Sequence, residues 1–398
     1  MCKLTKDLIL NLYSSTMRNG IFVFLISLCL ASCGGNEVEK SEVSDSFTVS
    51  LDTVMVDAGE EFIYLQEDLW LSKLNPDRRY LVNFNREDAI AEWIDLDELK
   101  LKEVLQFDKD GPNSIPQYTS GFLINEDENI LFWNYRFYKI FDQNGQLVRD
   151  LELEKIASDL LSGSEIYPNQ FFLDPENSSR TIGLFIKWEE SKYLMIDFDL
   201  ESGEFREIDL PQLEKIKEYK VDIVYDGNMA GSYGPGVYST RVGSKIFLST
   251  NTYNEVQVFD LETDSITVKT WDTPLLGAKR AYLPPSQVDG QTGEIEEIVR
   301  NAESDITYGP FFWSPDEEKF YRFSHKNYFG EEKTEYGRYI PTRADVYLSV
   351  FSKDLTLIKE ALIPELIQEP KRHFVKDGQI WIFENIEDEV GFVRLSVE

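Results

Sequence analysis

The chain is poor in cysteine, histidine and positive charge. Of its 398 residues three are Cys, and the last of these is Cys33. Beyond that point there is no disulfide framework, no thiol nucleophile and no thiolate metal site. The fold must therefore rest on a hydrophobic core, for which a chain of this length is ample. Histidine occurs twice, at His325 and His373. Neither has a histidine four residues away or an H-E-x-x-H setting, so the zinc-protease pattern is absent. No G-x-S-x-G occurs, which excludes a serine hydrolase of the α/β type. The glycine-rich stretch 231–236 lacks a following Gly-Lys-Ser/Thr and is no phosphate loop. Forty Lys and Arg face 72 Asp and Glu, a net charge of −32. Such a surface repels nucleic acid. Carboxylates are too numerous for any pair to be singled out as an acid/base couple. Helical periodicity is scarce.

The one compact apolar run near the start is 21–30, IFVFLISLCL. Ten residues span about 15 Å as a helix, roughly half a bilayer core. The run follows Met17-Arg18-Asn19-Gly20 and ends in Leu30-Ala31-Ser32-Cys33. This pattern resembles the lipobox of bacterial lipoproteins, with a transmembrane anchor as the alternative disfavoured by length. The resemblance implies that 1–32 is a signal peptide, whether initiated at Met1 or at Met17, and that Cys33 carries a lipid. Removing 1–32 takes away a net +2 and leaves −34. Residues 33–46 are polar and acidic and read as a flexible tether. Glu37 and Glu39 resemble the acidic signal that follows the lipidated Cys in surface-exposed lipoproteins of Bacteroidetes, whereas Gly34-Gly35 fits it less well. The expected address is the cell envelope, anchored at the outer membrane with either its periplasmic or its surface face open. The membrane is then a partner only through the lipid.

What the sequence has in abundance is aromatic residues, 20 Tyr and 26 Phe, set in short alternating runs that favour strands. Residues 311–323, FFWSPDEEKFYRF, read as strand, tight turn and strand. Weaker copies occur at 73–84, 123–133, 171–186, 239–250 and 373–383. All but the last continue into a third and a fourth strand, as in 137–142 and 146–153 or 193–199 and 204–210. Gly, Asn and Asp stand at the corners, where hairpins need positive φ or local side-chain bonds. Four antiparallel strands repeated around an axis are the signature of a β-propeller. The expected fold is all-β, with six four-stranded blades and seven as the alternative count. The sixth unit has only three strands, and 47–56 alternates without a partner, so the N-terminal strand is expected to complete the last blade and close the ring. Residues 62–71 are expected to enter the first blade. Residues 47–398 form a single domain.

Ser314-Pro315-Asp316 matches the turn of TolB-like propellers, and Asn75-Pro76-Asp77 nearly so; the other four units depart from it. Lipobox plus degenerate six-unit propeller resembles an uncharacterised lipoprotein family of Bacteroidetes, a likeness that implies a fold and brings no catalytic residues. Spacing between turn anchors places surplus residues at 209–236, 273–309 and 325–343. In a four-stranded meander these links emerge on one end of the ring, where binding loops sit on a rigid scaffold. Short helices are expected at 213–219 and 294–303. The scarce basic residues Lys279, Arg280, His325, Lys326, Arg343, Arg372 and His373 map to that end, with Tyr233, Tyr282 and Tyr308. Arg with Tyr is a common recognition pairing. The expected function is binding of a glycan, peptide or protein partner on the loop-rich face, without a cofactor. The rival is a propeller lactonase or lyase with a carboxylate and Ca²⁺ site in the central channel. The inner strands 171–173 and 311–313 read as apolar, which weighs against it.

If Cys33 is the lipid anchor, Cys33→Ala abolishes metabolic incorporation of labelled palmitate and releases the protein from the membrane fraction. Unchanged labelling of that variant contradicts the assignment.

Overall fold

The computed structural model describes residues 46–398 except 67, 164, 165 and 189. The expected signal peptide, the lipidation site Cys33 and the tether up to 45 lie outside the described residues. The remainder belongs to one compact unit made almost wholly of antiparallel sheets.

Six sheets have four strands each. The first runs through Ser72–Leu74, Tyr80–Asn85, Ile90–Asp95 and Lys100–Gln106. The second comprises Gly121–Ile124, Ile130–Asn134, Phe137–Phe141 and Leu147–Asp150. The third comprises Ile166–Leu173, Arg180–Lys187, Lys192–Asp199 and Glu204–Asp209, and the fourth Val237–Val242, Lys245–Thr250, Glu255–Asp260 and Ser265–Thr270. The fifth is built from Thr307–Ser314, Lys319–Lys333, Tyr339–Ser352 and Leu357–Leu362. The sixth takes His373–Lys376, Gln379–Ile386 and Glu389–Val397 from the C-terminus and Val49–Met55 from the N-terminus. In that last pairing Val49 lies opposite Val397 and Met55 opposite Gly391. The described residues of 62–71, expected to enter the first blade, contain no strand; 68–71 run as turns to Ser72.

Each sheet has two apolar faces because strand residues alternate sides. Phe311 packs with Phe247 and Val258 of the fourth sheet, and its neighbour Phe312 packs with Val375 and Ile382 of the sixth. The first and second sheets share Phe84, Phe107, Phe122 and Phe132, with Phe84 and Phe132 centroids 4.7 Å apart. The second and third share Trp133 and Phe171, and the third and fourth share Leu184 and Leu248. Phe374 and Trp381 of the sixth sheet pack with Leu81 and Ile94 of the first. The first strand of each sheet is its inner strand: those of the first and second, second and third, fourth and fifth, and fifth and sixth sheets touch one another, while the fourth strands are largely exposed.

The sheet turns explain the repeated sequence signal. Asn75 Oδ1 accepts from the Tyr80 amide, 2.9 Å, and Asn125 Oδ1 from the Asn129 amide, 2.8 Å. Arg78, Glu128 and Glu318 take positive φ at equivalent positions.

The three surplus segments are ordered structures rather than plain loops. Residues 211–219 form a 3₁₀ helix, and Val221–Tyr225 pairs with Asn228–Tyr233. Gln287–Asp289, from the next surplus segment, adds to the same small sheet in parallel, and the helix Glu294–Glu303 follows. Residues 231–233 of the glycine-rich stretch belong to a strand. The third surplus segment lengthens the second and third strands of the fifth sheet into a long hairpin. The helix docks on that hairpin, where Arg300 lies over the Tyr339 ring and the Tyr339 hydroxyl bonds Glu297. The insertions thus join at one end of the sheet assembly.

Between the fourth and fifth sheets sits Arg322, fully buried. Its guanidinium lies 4.9 Å from the Phe311 ring centroid and 5.2 Å from that of Tyr308, and one nitrogen donates to Asn254 Oδ1. Burial lowers its pKa to about 10, so it stays charged at neutral pH. Nε and Nη1 have no partner. Removing a buried charge outright leaves a void and orphans Asn254, whereas an apolar side chain of similar shape relieves desolvation. Arg322→Ala should lower the unfolding free energy by about 3–5 kcal/mol and Arg322→Met by much less, as read from urea denaturation. Equal losses would mean that the charge, not the volume, matters.

Candidate functional site

At the end of the assembly that carries the insertions, side chains from separate elements converge. His325 and Asn327 lie two apart on the second strand of the fifth sheet and share a face. Both are buried, 7% and 4% exposed. Glu369 comes from the link into the sixth sheet. His325 Nε2 stands 3.3 Å from Glu369 Oε2, and Asn327 Nδ2 donates to the same oxygen at 3.5 Å. The Oδ1 of Asn327 has no partner. Tyr238 enters from the inner strand of the fourth sheet, Glu303 from the end of the helix, and His373 from the start of the sixth inner strand.

Their electrostatics are mutual. Desolvation raises the Glu369 carboxyl, but the hydrogen bond and charge of His325, the Asn327 amide and His373 outweigh it, and the net shift is downward. The Glu369 side chain is nevertheless 57% exposed, so the carboxylate is crowded by protein and still reachable by water. Glu303 is pushed up, first by desolvation and then by the negative charge of Glu369. Burial lifts the Tyr238 phenol to about 12, with Glu369 adding to it. Tyr233 is likewise raised by burial and by Glu303, partly offset by Arg280. His373 is depressed to about 4 because its imidazolium is costly in this setting. Its ring lies edge-on to Phe312 and Phe323, and Nδ1 lies 2.7 Å from the Lys371 carbonyl oxygen.

Four residues expected from the sequence, Tyr233, Arg280, His325 and His373, meet at or behind this cluster. The other six do not join it. Arg280 itself is only 3% exposed and straps 280 to the fifth sheet through Ile306 O and Thr307 Oγ1. It shapes the wall instead of meeting a ligand. Tyr308 is fully buried, with its hydroxyl donating to Leu276 O. Lys279 is occupied on the outer surface by Glu218, and Arg343 on the hairpin by Asp345 and the Tyr328 ring. Tyr282 packs against the small insertion core. Lys326, next to His325, points to the opposite side of its strand. Arg372 stands beside the inner strands. Glu303, Glu369, Tyr238 and Asn327 escaped the sequence reading; the one local signal was the i, i+2 spacing of scarce His325 with Asn327.

A separate cavity of about 210 Å³ lies between the third sheet and the first insertion, lined by Trp188, Tyr193, Ile216, Lys217, Lys220 and Pro235 among others. Its walls are mainly apolar, and Lys220 is paired with Asp222. It lacks the convergent polar groups of the cluster.

The stacked four-stranded antiparallel sheets define a protein of the β-propeller class. Within it, residues 44–362 match a domain of unknown function, DUF4221, and the chain belongs to that family. A DUF4221 member from Bacteroides vulgatus has a similar structure, with a TM-score of 0.60 at 17% identity over 88% of this chain and 98% of that one. The β-propeller domain of Myceliophteria thermophila Cps50 (Swd1) aligns with a TM-score of 0.37 at 9% identity, over 89% of this chain and 100% of that one. A polysaccharide lyase, an ulvan lyase, aligns at 0.39 and 8%, over 83% of each chain. The likeness to the Bacteroides protein is one of fold; the other two carry nothing about function. None of the curated proteins matches the chain.

His373 gives the site a pH signature. Its folded pKa lies below the ordinary 6.5, so the unfolded chain binds more protons between about pH 6.5 and 4. Stability is then full above pH 6.5 and falls on acidification through that window. Each pKa unit of real depression is worth about 1.4 kcal/mol. Urea midpoints measured at pH 7 and pH 5 should differ less in His373→Gln than in the parent; an identical difference contradicts the assignment.

Proposed function

We propose that the protein is a lipid-anchored, extracytoplasmic propeller of six blades that binds a glycan, peptide or protein partner at the cluster on its insertion-bearing end. An apolar cluster at each of six sheet interfaces, last to first included, supports the count. Pairing of Val49–Met55 with Glu389–Val397 supports closure by the N-terminal strand. The seventh, three-stranded sheet is built from insertions and contains a parallel pair, which speaks against a seventh blade. The sequence pattern ending at Cys33 supports the anchor, and no helix among the described residues is long and apolar enough to cross a membrane.

The observation that carries the binding role is the convergence of Tyr238, Glu303, His325, Asn327, Glu369 and His373 from three sheets, a connecting segment and a helix. The buried Asn327 Oδ1 is unpartnered there. A scaffold that holds polar groups from several rigid elements around an open hydrogen-bonding site suits recognition of a polar ligand.

The catalytic alternative, a lactonase- or lyase-type propeller, draws on one observation: Glu303 and Glu369 are pushed in opposite directions, as in acid–base pairs.

A chain lacking 1–32 and carrying Cys33→Ser, screened on glycan and peptide arrays, should yield a ligand. Glu369→Gln or Asn327→Ala should weaken its binding at least tenfold, whereas Lys279→Ala should not. Affinity untouched by both cluster variants removes the site; cleavage of the bound glycan moves the protein to the enzyme class.

A further inference from the structure

The cavity between the third sheet and the first insertion has the make-up of a small-ligand site. Ile186 and Tyr193 stand opposite each other on the second and third strands of the third sheet and share a face. Trp188 comes from the turn that joins those strands and is 44% exposed. The 3₁₀ helix of the insertion contributes Ile216 and Lys217, and the chain just past Asn228–Tyr233 contributes Pro235. The volume of about 210 Å³ lies below the roughly 300–1,000 Å³ of sites for drug-sized ligands. It suits one ring rather than a chain of rings.

The polar groups on these walls are donors in want of acceptors. Among the described residues, the Tyr193 hydroxyl, the Ser232 hydroxyl and the Lys217 ammonium have neither a hydrogen bond nor an ion pair. Burial raises the Tyr193 phenol, so it stays a donor at neutral pH. Lys220 is matched by Asp222 at 2.8 Å, which leaves the Lys217 charge uncompensated. In a chain with 72 Asp and Glu, none of the described lining residues is acidic. Aromatic and aliphatic walls, a few donors and one spare positive charge favour a flat apolar ring that bears a single carboxylate. A sugar ring, with hydroxyls all round it, would press several of them against Ile186, Ile216 and Pro235 at a desolvation cost.

We propose that this cavity binds an aromatic carboxylate, with the ring against Trp188 and Tyr193 and the carboxylate at Lys217. The site shares no residue with the outer cluster and does not depend on what that cluster binds.

The test titrates benzoate and 4-hydroxybenzoate, by calorimetry, into the chain lacking 1–32 with Cys33→Ser; benzamide and glucuronate are the comparisons. At least one of the two benzoates should bind saturably, and benzamide at least tenfold more weakly because it lacks the charge. Lys217→Met and Trp188→Ala should each weaken binding at least tenfold, and Tyr193→Phe by roughly threefold through the lost hydroxyl. Lys217 and Trp188 are exposed, so both variants should melt with the parent. Glu369→Gln should leave benzoate binding within twofold; its loss there would place the ligand at the outer cluster and overturn the assignment. No saturable heat from either benzoate overturns the proposal, as does binding that Lys217→Met and Trp188→Ala both retain or that benzamide matches. Tighter binding of glucuronate than of either benzoate makes the cavity a saccharide site and overturns the aromatic assignment.

Discussion

Each sheet of this protein is apolar on both sides, and that constraint organises everything else. A strand such as Phe311-Phe312-Trp313 offers one aromatic ring to the sheet before it and the next to the sheet after it. A sheet of that kind cannot end against water on either face. Each therefore requires a packed neighbour on either side. Phe374, Trp381 and Phe392 of the sixth sheet pack with Leu81 and Ile94 of the first. The aromatic rings suit the task because tilted and edge-to-face contacts fill the wedge between twisted sheets. With no cysteine after Cys33, nothing covalent shares this load within the body of the chain.

Rigid packing at the interfaces leaves chemistry to the ends. The short turns close one end with Asn and Asp side chains that bond their own backbone. The insertions occupy the other, and they brace one another: two build a common small sheet, and the helix of the second lies on the extended hairpin of the fifth sheet. Such bracing fixes Glu303 and Tyr233 relative to His325 and Glu369. It also explains why Arg280 and Tyr308, which look like recognition residues in sequence, are spent on holding the insertion to the sheet. The charges that remain are distributed unevenly. Surface cations are mostly matched by carboxylates, while Lys73 and Arg372 beside the inner strands are not.

Much of the architecture was legible in the order of residues. The six strand–turn–strand units, the third and fourth strands, the helices at 213–219 and 294–303 and the positions of the insertions all follow from neighbours along the chain. Alternation within a strand and the side-chain bonds of Asn75 or Asn125 are local matters, fixed over a few residues. The candidate site was only partly legible. His325 and His373 stood out because histidine is scarce, whereas Glu303 and Glu369 were hidden among 72 acidic residues. Lys326 lies on the wrong side of its strand for the cluster, as the same alternation requires once His325 is placed. By itself the sequence determined the strands, their turns and the end from which extra segments emerge. Only the tertiary structure decided that His325, Asn327 and Glu369 meet and that Tyr308 is sealed inside. Those facts depend on how whole sheets stack, and the stacking is set by contacts between residues far apart in the chain.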